Sequence, residues 1–182
     1  MSRELMVAQI PSLRRYARAL TGDTWAADDL VQDTLERACS KWRLWLVGTN
    51  LRAWLFSVMH NLFVNQLRQS AVGGRPAMLD IDDLADELPT PESSPDQALD
   101  LQRCLLRLPP EQREILLLVS MEGMSYADIA KVTGVPLGTV MSRLSRARAR
   151  LQALLDAPAR VPADPATDQA PSNRPVTLHR LK

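Results

Sequence analysis

Cysteine is nearly absent from this chain: Cys39 and Cys104 are the two in 182 residues, far apart and each inside a helical pattern. They make no disulfide framework and no C-x-x-C ligand pair, and two inert thiols fit a reducing compartment. Histidine is as scarce, and His60 and His179 have no metal-binding spacing, so no metal and no cofactor is expected. Aromatic residues are only 4% of the chain, and no segment of the N-terminal seventy residues alternates with the period of a strand. No apolar run reaches membrane-spanning length and no secretory leader is visible, so membrane insertion is not expected and a cytoplasmic protein is. No constellation of nucleophile, acid and base stands out, which argues against an enzyme and against a small-molecule substrate. Net charge is +1, and taken alone that figure argues for no polyanionic partner.

The average hides a segregation. Residues 1–70 hold nine basic against six acidic side chains, residues 71–100 one against eight, and residues 101–155 eight against four. Two basic blocks flank an acidic strip, the mark of modular organisation. Apolar residues make up 46% of the chain, enough for real cores, and the regular Leu, Ala and Arg usage predicts helices. The expected fold is all-α: a helical bundle over residues 1–72, a flexible acidic linker over 73–97, a second helical domain over 98–156 and a disordered tail over 157–182. The linker gathers Pro76, Pro89, Pro91 and Pro95 among acids and serines and cannot bury enough apolar area to order itself.

Within the second block, SYADIAKVTGVPLGTVMSRLSRARAR (125–150) reads as a helix-turn-helix. Ser125 and Asp128 fit a capping box, Gly134 suits a left-handed helix stop, and Pro136 suits the start of the next helix. Val140, Leu144, Ala147, Leu151 and Leu154 recur at helical spacing as a buried stripe. Thr139, Ser142, Arg143, Arg146 and Arg150 fall on another face, and hydroxyls and guanidiniums so placed can enter a DNA major groove. A solvated basic face on an ordinary helix is the bland alternative; the short turn, the cap and the one-sided arginines favour DNA.

Two helices of the first block carry function-like patterns. In ADDLVQDTLERA (27–38), Asp29, Gln32, Asp33 and Glu36 crowd the side away from Leu30, Leu35 and Ala38, with Val31 at the edge of that stripe. Such a surface suits docking of a basic protein partner better than a metal-dependent nuclease, because no His or Lys completes an acid–base pair. In the helix predicted from about Leu51 to Gln69, Leu51, Leu55, Val58 and Leu62 make one apolar stripe, and Phe56, Phe63 and Leu67 a second. Between them run Trp54, Ser57, Asn61, Asn65 and Arg68. That row can stack on and hydrogen-bond to bases, or it can be a core tryptophan beside plain surface amides; the helix alone leaves both open.

Four stretches taken in order settle on a family. ADDLVQDTLERA (27–38), NLRAWLFSVMHNLFVNQLR (50–68), LPPEQREILLLVSMEGMSYADIA (108–130) and VPLGTVMSRLSRARARL (135–151) resemble bacterial sigma-70 superfamily factors of the two-domain extracytoplasmic-function (ECF) type. The resemblance implies a sigma-2-like bundle and a sigma-4-like helix-turn-helix domain that together bind core RNA polymerase and direct promoter recognition, DNA melting and stress-type transcription initiation. It assigns Asp29, Leu30, Val31, Gln32, Asp33 and Glu36 to the contact with core polymerase. It gives the −10 element to Trp54, Ser57, Asn61, Asn65 and Arg68, with the loop residues Gly48, Thr49 and Asn50 pocketing a flipped base. It gives the −35 element to Leu137, Gly138, Thr139, Ser142, Arg143, Arg146 and Arg150. Met141 and Ser145 depart from the pattern, which has Arg and a bulky apolar residue there in many members. An anti-sigma factor is implied as a further partner. Alternative readings are a sigma-like decoy, or a stand-alone helix-turn-helix regulator that would leave the first two stretches unexplained.

Geometry adds one expectation. The two promoter elements lie about one and a half duplex turns apart, ~50–55 Å, while a relaxed linker of this length spans only ~25–30 Å. The protein is therefore expected to bind promoters weakly alone and tightly once polymerase holds its halves apart.

Overall fold

The computed structural model describes residues 2–42, 50–73 and 95–156, and every regular element among them is an α-helix. In chain order they are α1 (Ser2–Val7), α2 (Ile10–Thr21), α3 (Thr24–Ser40), α4 (Leu51–Gly73), α5 (Pro95–Leu106), α6 (Pro110–Ser120), α7 (Tyr126–Thr133) and α8 (Leu137–Asp156). Gly48, Thr49, Trp45, most of the acidic linker and the proline-rich tail lie outside the described residues. α5 begins at Pro95, within the last residues assigned to the linker; proline is tolerated in a first turn because its missing N–H has no intrahelical partner there.

Local chemistry fixes the boundaries that position the functional faces. The Asp23 carboxylate accepts from Ala26 N at 2.6 Å and caps α3. Just before it, Gly22 ends α2 at φ +76° and donates to Arg18 O. A Cβ on Gly22 would sit 2.5 Å from Leu106 Cδ1, the end of a flexible side chain that can shift aside, so it is the positive φ that requires glycine here. Asn50 Oδ1 accepts from Ala53 N at 3.2 Å and caps α4. Ser125 Oγ accepts from Asp128 N at 3.1 Å and donates to Asp128 Oδ2, closing the expected cap of α7, and Gly134 stops that helix at φ +68°. Pro136 stands just before the first helical residue of α8, its carbonyl accepting from Thr139 N and Val140 N.

Both expected units are present. In the first, α2, α3 and α4 bundle around Tyr16 and Phe56, which meet edge-on with centroids 5.0 Å apart. In the second, α5–α8 enclose Ile115, Leu118, Ile129 and the stripe of Val140, Leu144 and Ala147. The two packed faces read from the sequence of α4 are real: one lies on α3, the other on α7. Leu67, counted in the second stripe, is instead exposed, and Met59 takes a place in the core that the stripe had not included.

That second face joins the units into one continuous core, with α2 packed on α6 and on α5 as well. Polar groups stitch the seam. Glu122, in the turn after α6, has a fully buried side chain; its Oε2 accepts from Arg52 of α4 and from the Ser12 hydroxyl of α2. Its Oε1 faces only Arg15, at 3.7 Å. His60 Nδ1 of α4 meets Glu114 Oε1 of α6 at 2.6 Å, and Gln102 Nε2 of α5 donates to Ala19 O of α2 at 3.3 Å. Tyr16 is enclosed at this seam. Burial holds its hydroxyl pKa well above the usual 10.0, and the negative charges of Glu114 and Glu122 push it the same way.

Candidate nucleic-acid and protein-docking interface

Three faces carry the residues singled out in the sequence. On α3, Asp29, Gln32 and Glu36 are exposed and Asp33 is half-buried, whereas Leu30 and Val31 are buried. The helical rotation of about 100° per residue turns those two toward the core, so they anchor the face and do not present to a partner. Neighbouring Asp28 is engaged by Arg14 Nε at 3.0 Å. At the C-terminal end of the face, Asp33, Glu36, Arg37, Ser40 and Leu62 line a mostly polar cleft of about 310 Å³.

On α4 the row runs from core to solvent. Trp54 is half-buried and meets Trp42 edge-on at 6.3 Å, a contact that has no signal in the helical periodicity. The two readings of Trp54 therefore merge: one part of the ring packs, and the rest remains accessible. Ser57 Oγ donates to Ala53 O and Asn61 Nδ2 to Ser57 O, both at 2.8 Å, so these polar groups are held against the helix surface. Asn61, Asn65 and Arg68 are exposed along the C-terminal half of α4, and Asn50 caps its N-terminus, nearest to Trp54.

On α8, Leu137, Gly138, Arg146 and Arg150 are exposed, and Thr139, Ser142 and Arg143 are half-buried. Ser142 Oγ donates to Thr139 O at 3.1 Å. Arg143, Arg146 and Arg150 make no ion pair among the described residues, and a cationic helix face left unpaired is available to phosphates. Met141, at 52% exposure, stands on the outer surface, and Ser145 is exposed too. Both departures from the family pattern therefore lie on the solvent-facing surface of α8, one with an apolar side chain and one with a hydroxyl.

Sequence reading missed the seam residues. His60 enters the sequence reading only as a metal-ligand candidate, and Arg52, Glu114 and Glu122 carry no functional assignment there. A charged residue inside an apolar helix run was the available signal, but its partner is distant in sequence. No group of His, Cys, Asp and Glu among the described residues could hold a metal ion, and no described helix is long and apolar enough to cross a membrane.

Comparison with known proteins agrees with this layout. Residues 6–60 match the family described as the sigma-2 domain of PhyR, and residues 98–151 match sigma-70 region 4. The chain is 40% identical to "ECF RNA polymerase sigma factor EcfG" of Rhodopseudomonas palustris, over 84% of each chain. It is 36% identical to ECF RNA polymerase sigma factor SigM of Mycobacterium tuberculosis, over 79% of this chain and 71% of that one. Among solved structures, the sigma factor RpoE of Bartonella quintana, in complex with the anti-sigma factor NepR, superposes with TM-score 0.72 at 35% identity. That match covers 86% of this chain and 97% of the other.

Proposed function

Since the chain belongs to the extracytoplasmic-function RNA polymerase sigma factors, which bind core polymerase and direct it to promoters, we propose that it does so through the three faces described above. The exposed carboxylates of α3 dock on a basic surface of core polymerase. The Trp54–Arg68 row of α4 reads the −10 element, where Asn61 and Asn65 offer amides to base edges and the accessible part of Trp54 offers a stacking surface. The Thr139–Arg150 face of α8 enters the −35 major groove, reading bases near its N-terminus and neutralising phosphates with Arg143, Arg146 and Arg150. The role is regulatory and belongs in the compartment of the polymerase. An anti-sigma factor is its third partner, as NepR is of the Bartonella protein.

One observation carries this reading: two separate DNA-competent faces stand exposed on a single chain that matches a sigma factor along most of its length. The closed packing adds a requirement. Interaxial steps of about 8–10 Å from α4 to α7 and from α7 to α8 put the two reading helices within ~20 Å, well short of the ~50–55 Å between promoter elements. The units must part before both elements are read together, and polymerase supplies the separation.

In vitro transcription with core RNA polymerase tests the assignment. Asn61→Ala should weaken initiation in a way that depends on the −10 sequence, and Arg146→Ala in a way that depends on the −35 sequence, each by about 1–3 kcal/mol. Initiation unaffected by both would overturn the assignment of the reading faces. A wild-type chain that never supports initiation would mark a sigma-like decoy.

A further inference from the structure

Trp25 is the most exposed large apolar residue among those described, at 80%, on a chain with four tryptophans. It lies in the first turn of α3, two residues after the Asp23 cap that fixes where this helix starts. At about 100° per residue, Asp29, Gln32 and Glu36 fall within roughly 40° of it on the helix surface. The buried residues Ala27, Leu30, Val31, Thr34 and Ala38 lie on the opposite side. Trp25 thus stands at the centre of the outward face and continues the carboxylate surface by one turn.

A tryptophan left in water forgoes the burial of a large apolar surface, and Trp is the residue type most enriched among the hot spots of protein interfaces. Its ring face also attracts cations, above all guanidinium groups, in the same sense as the neighbouring carboxylates. The span from Trp25 to Glu36 is eleven residues, about 16 Å, or three turns of α3.

We propose that Trp25 is the anchor residue of the polymerase-docking face, stacking on an arginine-bearing surface of core polymerase while Asp29 and Glu36 receive its cations and Gln32 hydrogen-bonds beside them. This rests on the assignment of α3 to polymerase docking and deepens it: the carboxylates steer and register the encounter, and the indole holds it. Because Trp25 is 80% exposed and lies outside the described core, its removal leaves the packing of the described residues intact.

Binding of the full-length chain to core RNA polymerase is measured for wild type, Trp25→Ala, Trp25→Phe and Gln32→Ala/Glu36→Ala. Trp25→Ala should weaken binding at least tenfold, mostly through faster dissociation and with little change in its salt dependence. Trp25→Phe should recover part of the loss, and the thermal midpoint should not move. The double variant should also weaken binding, with a shallower salt dependence. If Trp25→Ala binds like wild type while the double variant is impaired, Trp25 is no anchor and α3 remains the docking helix. If neither change weakens binding, the docking helix is misassigned and the anchor falls with it.

Discussion

Replacing Arg52 with alanine should open the molecule. Arg52 is the principal cation for Glu122, whose side chain is fully buried between the two helical units. Removing one member of such a pair leaves an uncompensated charge, at a cost of about 3–5 kcal/mol. The low end applies, because Arg52 is itself 38% exposed and Arg15 still faces the carboxylate at 3.7 Å. A loss of about 3 kcal/mol is roughly two decades in the equilibrium between packed and parted units. Little of it should appear within either helical bundle, since the pair bridges α4 of one and the turn after α6 of the other. Small-angle scattering should show an expanded Arg52→Ala chain with unchanged helix content, and promoter DNA carrying both elements should bind it more tightly in the absence of polymerase. Glu122→Gln, which keeps the shape and the contacts to Arg52 and Ser12, should perturb closure by only about 1 kcal/mol. An Arg52→Ala chain as compact as wild type, with no gain in polymerase-free promoter binding, would refute the view that this seam restrains the reading helices.

Gly22→Ala should destabilise the fold by about 1–2 kcal/mol, chiefly the cost of a positive φ, with the Leu106 side chain moving aside; a denaturant titration measures it. Tyr16 governs an alkaline limit. Its folded pKa is raised, so its contribution is complete below the unfolded value of 10.0 and is lost as pH rises from there through the folded pKa. Thermal midpoints above pH 10 should therefore fall steeply for the wild type and less so for Tyr16→Phe.

Much of the architecture is local chemistry and was legible as such. The Ser125–Asp128 cap, the Gly134 stop and the spacing of Val140, Leu144 and Ala147 specify α7 and α8 without help from the rest of the chain, since each depends on contacts within a turn or two. The outer face of α3 was readable for the same reason: its periodicity put Leu30 in the buried stripe and Val31 at its edge, whereas the family resemblance counted both among the polymerase contacts, and both are buried. Trp25 escaped notice because a tryptophan near a helix start reads equally well as core. Only the tertiary arrangement around α3 leaves it in solvent.

Periodicity states that a helix has a buried face; it does not state what covers it. The sequence of α4 announced two apolar stripes and so two neighbours, and four motifs taken in order along the whole chain determined the family to which it belongs. That α7 is the second neighbour was decided in three dimensions, and the two units are pinned together by side chains tens of residues apart: Arg52 with Glu122, His60 with Glu114, Gln102 with Ala19. Those partners meet only after the chain has folded, because charge complementarity between distant segments leaves no period in the sequence.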